Sequence, residues 1–198
     1  MNTVEPPPPP AADTAPDTAP DAAPDAAGPR PPWETAAPLV AAAQAGDALA
    51  LDRLLTLLLP YVTRLCGPIA LADAPDAAQE ALIAVLRGLP GLADPRALYG
   101  WVRTVTVREA VRTARRARRH VPFDTLAHDL RSAADPELPG DVRDCLHRLG
   151  PEHRAVLVLR VLEGLDERSC AELLGVSPGT VKSRLHRAKL NFRLAWTG

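Results

Sequence analysis

With 198 residues and 46% apolar side chains, the chain can build one domain or two small ones with real cores, which excludes a protein disordered throughout. Aromatics make up only 4% while Ala, Leu, Val and Arg abound, so propensity favours helix, strand-like runs are few, and an all-α fold is predicted. The formal net charge of −1 hides a polarity: in residues 1–32 Glu5, Asp13, Asp17, Asp21 and Asp25 face Arg30 alone, so this segment carries −4 and the remainder +3.

Residues 1–32 read "PPPPPAADTAPDTAPDAAPDAAGPRPP" after a short lead, with Asp at every fourth position from Asp13 to Asp25 and proline interrupting any helix. So few apolar side chains cannot offset the entropy of ordering, and the composition predicts a disordered, partly polyproline-like tail. Two readings stay open for it: a solvated extension, or an arm whose acids shield the later basic surfaces. The lead has neither the basic nor the apolar part of a signal peptide, and no apolar run is read as approaching the roughly 20 residues that span a bilayer. The expectation is a chain that stays in the cytoplasm without membrane insertion.

Residues 33–120 read as a helical block interrupted at Gly46, at Pro60, at "CGP" (66–68) and at "LPGLADP" (89–95). Ala78, Leu82, Val85, Leu86 and Leu89 form an expected core stripe, which leaves Asp76, Gln79 and Glu80 on another face. "WVRTVTVREAVRTARRARRH" follows, its stripe expected at Trp101, Val105 and Ala110 or Val111. Residues 96–119 hold eight arginines and one acid. Such a cluster repels itself unless a polyanion neutralises it, and nucleic acid is the commonest such partner. Tyr99 and Trp101 beside these cations suit single-stranded DNA, whose bases stack on rings while arginine tracks phosphate; apolar periodicity favours core over a stacking platform for Trp101.

Residues 121–140 are turn-rich and acidic, and read as a linker between two packed units. Residues 141–198 read as four helices: 141–149, 152–163 closed by Gly164, 166–174 capped by Asp166, and a basic helix from Pro178. Ser177 can accept hydrogen bonds from the free amides of that last helix, and Pro178 takes the first helical position, where its missing donor costs nothing. Val181, Leu185 and Ala188 fall on one face. The two helices with a short Gly-containing turn make a helix-turn-helix, with Ala171, Gly175 and Val181 where they must approach closely. Ser177, Thr180, Lys182, Ser183, Arg184 and Arg187 then face duplex DNA as hydroxyl, phosphate and guanine contacts.

Cys66, Cys145 and Cys170 form no C-x-x-C pair, which predicts neither a disulfide framework nor a zinc motif. Cys145, His147 and His153 are near in sequence, but the spacing fits no common site and a fourth ligand is missing, so no metal and no cofactor are expected. An enzyme acting on nucleic acid would need clustered carboxylates, a metal set or a nucleophile with its base, and none is found, so no catalytic residue is assigned.

The stretch "LGPEHRAVLVLRVLEGLDERSCAELLGVSPGTVKSRLHRAKLNFR" resembles the fourth conserved region of the sigma-70 family of bacterial transcription initiation factors, in its small extracytoplasmic-function group. "DAPDAAQEALIAVLRGLPGLADPRALYGWVRTVTVREAVRTARR" is similar to that family's second region. The resemblance covers about residues 39–195. It implies two small helical domains on a flexible linker: region two at 33–120, which docks on core RNA polymerase and recognises and melts the minus-ten element, and region four at 141–198, which binds the minus-thirty-five element. By position, Asp76, Gln79 and Glu80 match the polymerase-docking helix, with Pro75 where the family has an acid. The loop from Leu92 to Leu98 matches the one that captures a flipped base of the non-template strand, and Trp101 the tryptophan behind it. Arg96, Tyr99, Trp101, Arg103, Arg108 and Arg112 make up the implied minus-ten set, with Arg108 where Asn and Arg112 where Asp are frequent. The linker is expected to thread the polymerase channel as a phosphate mimic. The implied partners are core polymerase and promoter DNA, as duplex and as non-template single strand; an anti-sigma factor stays an open partner. The rival reading is a stand-alone helix-turn-helix regulator on operator DNA, which leaves the Asp76 face and the arginine-rich helix without a role.

Overall fold

The computed structural model describes residues 33–120 and 139–197; the tail at 1–32 and most of the linker lie outside the described residues. Among the described residues every regular element is helical. The amino-terminal block holds α1 (Trp33–Gln44), α2 (Ala48–Ala70), α3 (Ala74–Gly88) and α4 (Leu98–His120). The carboxyl-terminal block holds α5 (Gly140–His147), α6 (Pro151–Leu157), α7 (Glu167–Leu174) and α8 (Pro178–Thr197).

Asp47 starts α2 by accepting hydrogen bonds from the amides of Leu49 (2.9 Å) and Ala50 (3.1 Å), two of the donors that a helix start leaves free. Of the expected interruptions, Gly46 and 89–95 lie between helices, but Pro60 and "CGP" do not: α2 runs through both prolines. An interior proline costs about 3 kcal/mol. Here Leu58, Tyr61, Val62, Leu65 and Ile69 are all buried on the same helix. At about 1.5–3 kcal/mol for each large side chain, their burial outweighs that loss. The helix stops only at Leu71, whose φ of +58° is costly for a branched side chain. Its burial against Leu146 and Leu149 offsets that cost. Residues 48–91 are long and apolar enough to cross a membrane by length and composition, contrary to the sequence expectation. Most of that apolar window is buried inside the protein, as in the core helix of a folded domain.

Of the stripe expected on α3, Ala78, Val85 and Leu89 are buried and Leu82 is partly buried, but the core face is otherwise made of alanines and leaves Leu86 out. Ala74, Ala77, Ala78, Ala81, Ala84 and Val85 are buried, whereas Leu86 is 39% exposed. Small side chains let α2, α3 and α4 pack closely against one another, and a leucine stripe would hold them apart. In α4 the expected Trp101, Val105 and Ala110 are core, joined by Val102, Val107 and the buried Thr106 and Thr113, while Val111 is only partly buried.

In the carboxyl-terminal block, the helix expected at 152–163 changes pitch. After α6, Val158–Leu162 form a π turn, with the Glu163 amide donating to the Val158 carbonyl five residues back. The two blocks pack into one core: α6 rests on α2 and α4, and α7 on α4.

Candidate nucleic-acid interface

The helix-turn-helix is built from local chemistry. Asp166 Oδ1 accepts from the Ser169 amide at 2.6 Å and opens α7. That backbone hydrogen bond, with a further one from the Ser169 hydroxyl, holds the Asp166 carboxyl below its ordinary value. Gly175 ends α7 at φ +65°, a left-handed conformation that only glycine adopts cheaply, and the Val176 amide returns to the Ala171 carbonyl at 3.0 Å. Ser177 Oγ then accepts from the Thr180 amide (3.2 Å) and opens α8. Ala171 and Val181 are buried where α7 and α8 meet, and Val181, Leu185 and Ala188 are the buried face of α8.

On the outer face of α8, Lys182, Ser183 and Arg187 are exposed and Arg184 is half-buried. The hydroxyls of Ser177 and Thr180 share a 2.9 Å hydrogen bond, and Ser183 donates to the Thr180 carbonyl. In this state the three hydroxyls serve the helix start, and the basic side chains are the groups presented outward. Their field reaches α6. Burial lowers the His153 pKa first, and the Arg184 and Arg187 charges lower it further against the opposing Glu152.

The loop ahead of α4 is pinned from α1. Gln44 Nε2 donates to the carbonyls of Leu89 (2.9 Å) and Leu92 (2.8 Å), Leu92 and Leu98 are buried, and Asp94 accepts from the Arg96 amide at 2.8 Å. Ala93, Asp94 and Arg96 are left at the surface. Gln44 carried no sequence signal, since its partners are backbone atoms 45 and 48 residues away.

Trp101, for which periodicity favoured core over a stacking platform, is core: it is 5% exposed and lies against Gly88. Its ring is not available to a base in this state, and its place is behind the loop at 92–98. Tyr99 is half-buried and meets Tyr61 edge to face, with ring centroids 5.7 Å apart. Burial raises the Tyr99 phenol pKa.

The α4 arginines are distributed between solvent and the other block. Arg112 is exposed and paired with Glu109 (2.5 Å) and Glu80 (3.6 Å), so a candidate strand contact and a candidate docking residue neighbour each other. Asp76 and Gln79 are exposed beside them on α3. Arg103 Nη1 lies 3.3 Å from Glu163, Arg108 donates to the Leu173 carbonyl (3.2 Å), and Arg115 pairs with Glu152 at 2.5 Å. Burial pushes the Glu152 pKa up, but its own backbone amide and Arg115 outweigh that and hold it below its ordinary value. Arg154, 5% exposed, donates to the Leu146 and Leu149 carbonyls and across to the Ile69 carbonyl (2.7 Å) at the end of α2. Burial brings its pKa down to about 10. Neither Arg154 nor Glu163 stood out in the sequence, because each has partners in the other block: the Ile69 carbonyl for Arg154, and Tyr61, Arg64 and Arg103 for Glu163. Among the described residues, no group of three metal-binding side chains comes together, and the three cysteines are buried and free.

An all-helical chain with a capped helix-turn-helix at one end and an arginine-rich helix behind a pinned loop at the other belongs to the class of DNA-reading transcription proteins. Residues 51–120 match the family described as Sigma-70 region 2, and residues 140–191 that described as Sigma-70, region 4. The ECF RNA polymerase sigma factor SigM of Mycobacterium tuberculosis is 32% identical over 157 residues, covering 77% of this chain and 80% of SigM. The ECF RNA polymerase sigma-E factor of Haemophilus influenzae is 31% identical over 176 residues, covering 76% of this chain and 89% of that protein. The fold is also similar to the sigma factor RpoE of Bartonella quintana, solved with the anti-sigma factor NepR, at a TM-score of 0.53 and 21% identity over 74% of this chain and 96% of RpoE. This chain belongs to the sigma-70 family, as an RNA polymerase sigma factor of the extracytoplasmic-function group.

Proposed function

We propose that this chain binds core RNA polymerase in the cytoplasm and directs initiation at its own set of promoters, through a division of labour along its length. α8 enters the major groove of the upstream element, with Arg184 and Arg187 as base or phosphate contacts and Lys182, Ser177, Thr180 and Ser183 around the helix start. Asp76, Gln79 and Glu80 dock on a basic surface of the polymerase. The loop at 92–98 takes an unstacked base, with Trp101 fixing the loop from behind. Tyr99, Arg96, Arg103, Arg108 and Arg112 follow the open strand. An anti-sigma factor is a further partner in this reading, as in the RpoE complex. The protein performs no catalysis; the chemistry belongs to the polymerase.

The observation that carries this reading is the coexistence in one chain of a capped basic helix in a helix-turn-helix and a separate arginine-rich helix next to an exposed acidic face. A stand-alone operator-binding regulator uses only the first. Run-off transcription with purified core polymerase is the test: the full chain added to core should yield promoter-specific transcripts, and core alone should not. A chain that binds duplex tightly and gives no transcript with core would favour the regulator.

A further inference from the structure

Gln44 is the last residue of α1, and its side-chain amide is spent on the loop ahead of α4: Nε2 donates to the Leu89 carbonyl at 2.9 Å and to the Leu92 carbonyl at 2.8 Å. Two carbonyls accept only from the NH2 end of an amide, so the partners themselves fix which way the side chain is turned. The corner it stands on is firmly held. Ala36 and Val40 are fully buried on the same helix, and the Gly46 and Asp47 amides return to the Ala43 and Ala42 carbonyls at 3.0 Å. Asp47 then caps α2. Holding the Leu92 carbonyl toward α1 also fixes the far side of the same peptide. In a planar trans unit, as all the described peptides are, the N–H points opposite the C=O, so the Ala93 N–H is turned away from Gln44. Ala93 is exposed, and among the described residues its amide has no hydrogen-bond partner. We propose that Gln44 is a positioning residue for strand recognition: by setting the direction of the Leu92–Ala93 peptide, it decides which base the loop at 92–98 accepts.

This role rests on the reading of the loop as the site that takes an unstacked base. An unstacked base is read along its hydrogen-bonding edge, and hydrogen bonds weaken steeply once donor and acceptor fall out of line. A backbone N–H in a fixed direction therefore donates only to a base whose edge carries an acceptor at the matching place, and direction becomes preference. A peptide free to turn would meet acceptors in several places and discriminate less. Gln44 is uncharged, so it adds nothing to the general attraction between a basic surface and phosphates, which strengthens all sequences alike. The loop is thus held at two points, with Trp101 against Gly88 on one side and Gln44 on the Leu89 and Leu92 carbonyls on the other.

The test uses the full chain with core polymerase on a promoter of its own genome, each minus-ten position being changed in turn to each of the four bases, with run-off transcript as the readout. The parent should prefer one base at the captured position. Gln44→Leu, which keeps the bulk and removes both donors, should reduce that preference about tenfold, as expected for the loss of two hydrogen bonds. Preference at the minus-thirty-five element and co-purification with core should stay at the parent level. Gln44→Lys, which restores a donor to the two carbonyls, should recover most of the loss. In the full chain alone, hydrogen exchange of the Leu92 amide, which donates to the Leu89 carbonyl at 3.1 Å, should quicken about tenfold in Gln44→Leu and less in Gln44→Lys. Gln44→Ala takes the place of Gln44→Leu if circular dichroism shows the latter misfolded. A minus-ten preference that the donor-less variants keep would overturn the role, and so would one that Gln44→Lys loses as fully as Gln44→Leu. A fall in transcription that is equal for all four bases would also overturn it. A parent with no base preference anywhere in the minus-ten element would sink the base-capture reading and this role together, whereas a selective parent beside equally selective variants removes Gln44 alone.

Discussion

Gly88 and Trp101 lie so close that a Cβ on Gly88 would stand 2.6 Å from Cζ2 of the indole. The Gly88 φ of −88° is one that any residue adopts, so the glycine is there for space alone. Gly88→Ala gains about 1 kcal/mol of helix propensity and loses about 1–3 kcal/mol to overpacking, for a net loss of up to about 2 kcal/mol. In a Trp101→Ala background, itself costing about 3–5 kcal/mol, the Gly88→Ala penalty should vanish. Urea denaturation of the four-protein cycle checks this.

The contact between Gly88 and Trp101 also marks where the sequence stops being legible. The turn at 175–178 could be read residue by residue, since a left-handed glycine, a serine cap and a proline at the first helical position each act within a few residues. The buried face of α8 followed from period alone. The alanine face of α3 did not, because alanine is apolar but small, and only the approach of α2 and α4 decides that it is buried while Leu86 is not. Pro60 and Pro68 misled for the same reason: local cost was visible, and the burial that outweighs it was not. Glu163 and Tyr61 are 102 residues apart, and nothing local announces their hydrogen bond or the packing of one block on the other.

The Asp166 cap predicts a pH signature. Its pKa lies below the ordinary 3.8 in the folded chain, so its contribution is present at pH values above about 4 and is lost as pH falls through the lower folded value. Asp166→Ala should cost about 1 kcal/mol near neutral pH, the usual worth of a cap. The difference between parent and variant should shrink in acid below about pH 4. Thermal melts of both proteins from pH 7 to pH 3 check the sign; a difference that grows on acidification contradicts the assignment.

Arg184→Ala and Arg187→Ala should weaken duplex promoter binding. A base-contacting arginine is worth roughly 1–3 kcal/mol of discrimination, whereas loss of a phosphate contact weakens all sequences alike and lowers the salt slope by about one. Titrations on matched and scrambled upstream elements at several salt concentrations separate the two roles. Unchanged affinity of both variants on both DNAs would remove α8 from the interface.

Charge reversal at Asp76 and Glu80 should abolish co-purification with core polymerase and leave duplex binding by the full chain at the parent level. Glu80 and Arg112 are 40% and 45% exposed at 3.6 Å, a surface pair worth at most about 1 kcal/mol, so the double variant should remain folded. A double variant that still co-purifies like the parent puts the docking face elsewhere.

Strand opening separates a sigma factor from a stand-alone helix-turn-helix regulator. Melting gives up on the order of 1.4 kcal/mol of stacking per base-pair step, so the open strand must be held by compensating contacts, which the proposed function assigns to the loop and α4. The direct measurement is permanganate reactivity of promoter thymines with core polymerase and the full chain. The parent should produce a reactive bubble at the start site. Trp101→Ala with Arg103→Ala should reduce it while closed-complex formation continues, provided circular dichroism shows the helices intact. A parent protein that binds duplex tightly by itself, yet yields no reactive bubble with core polymerase on any promoter of its own genome, would contradict the account.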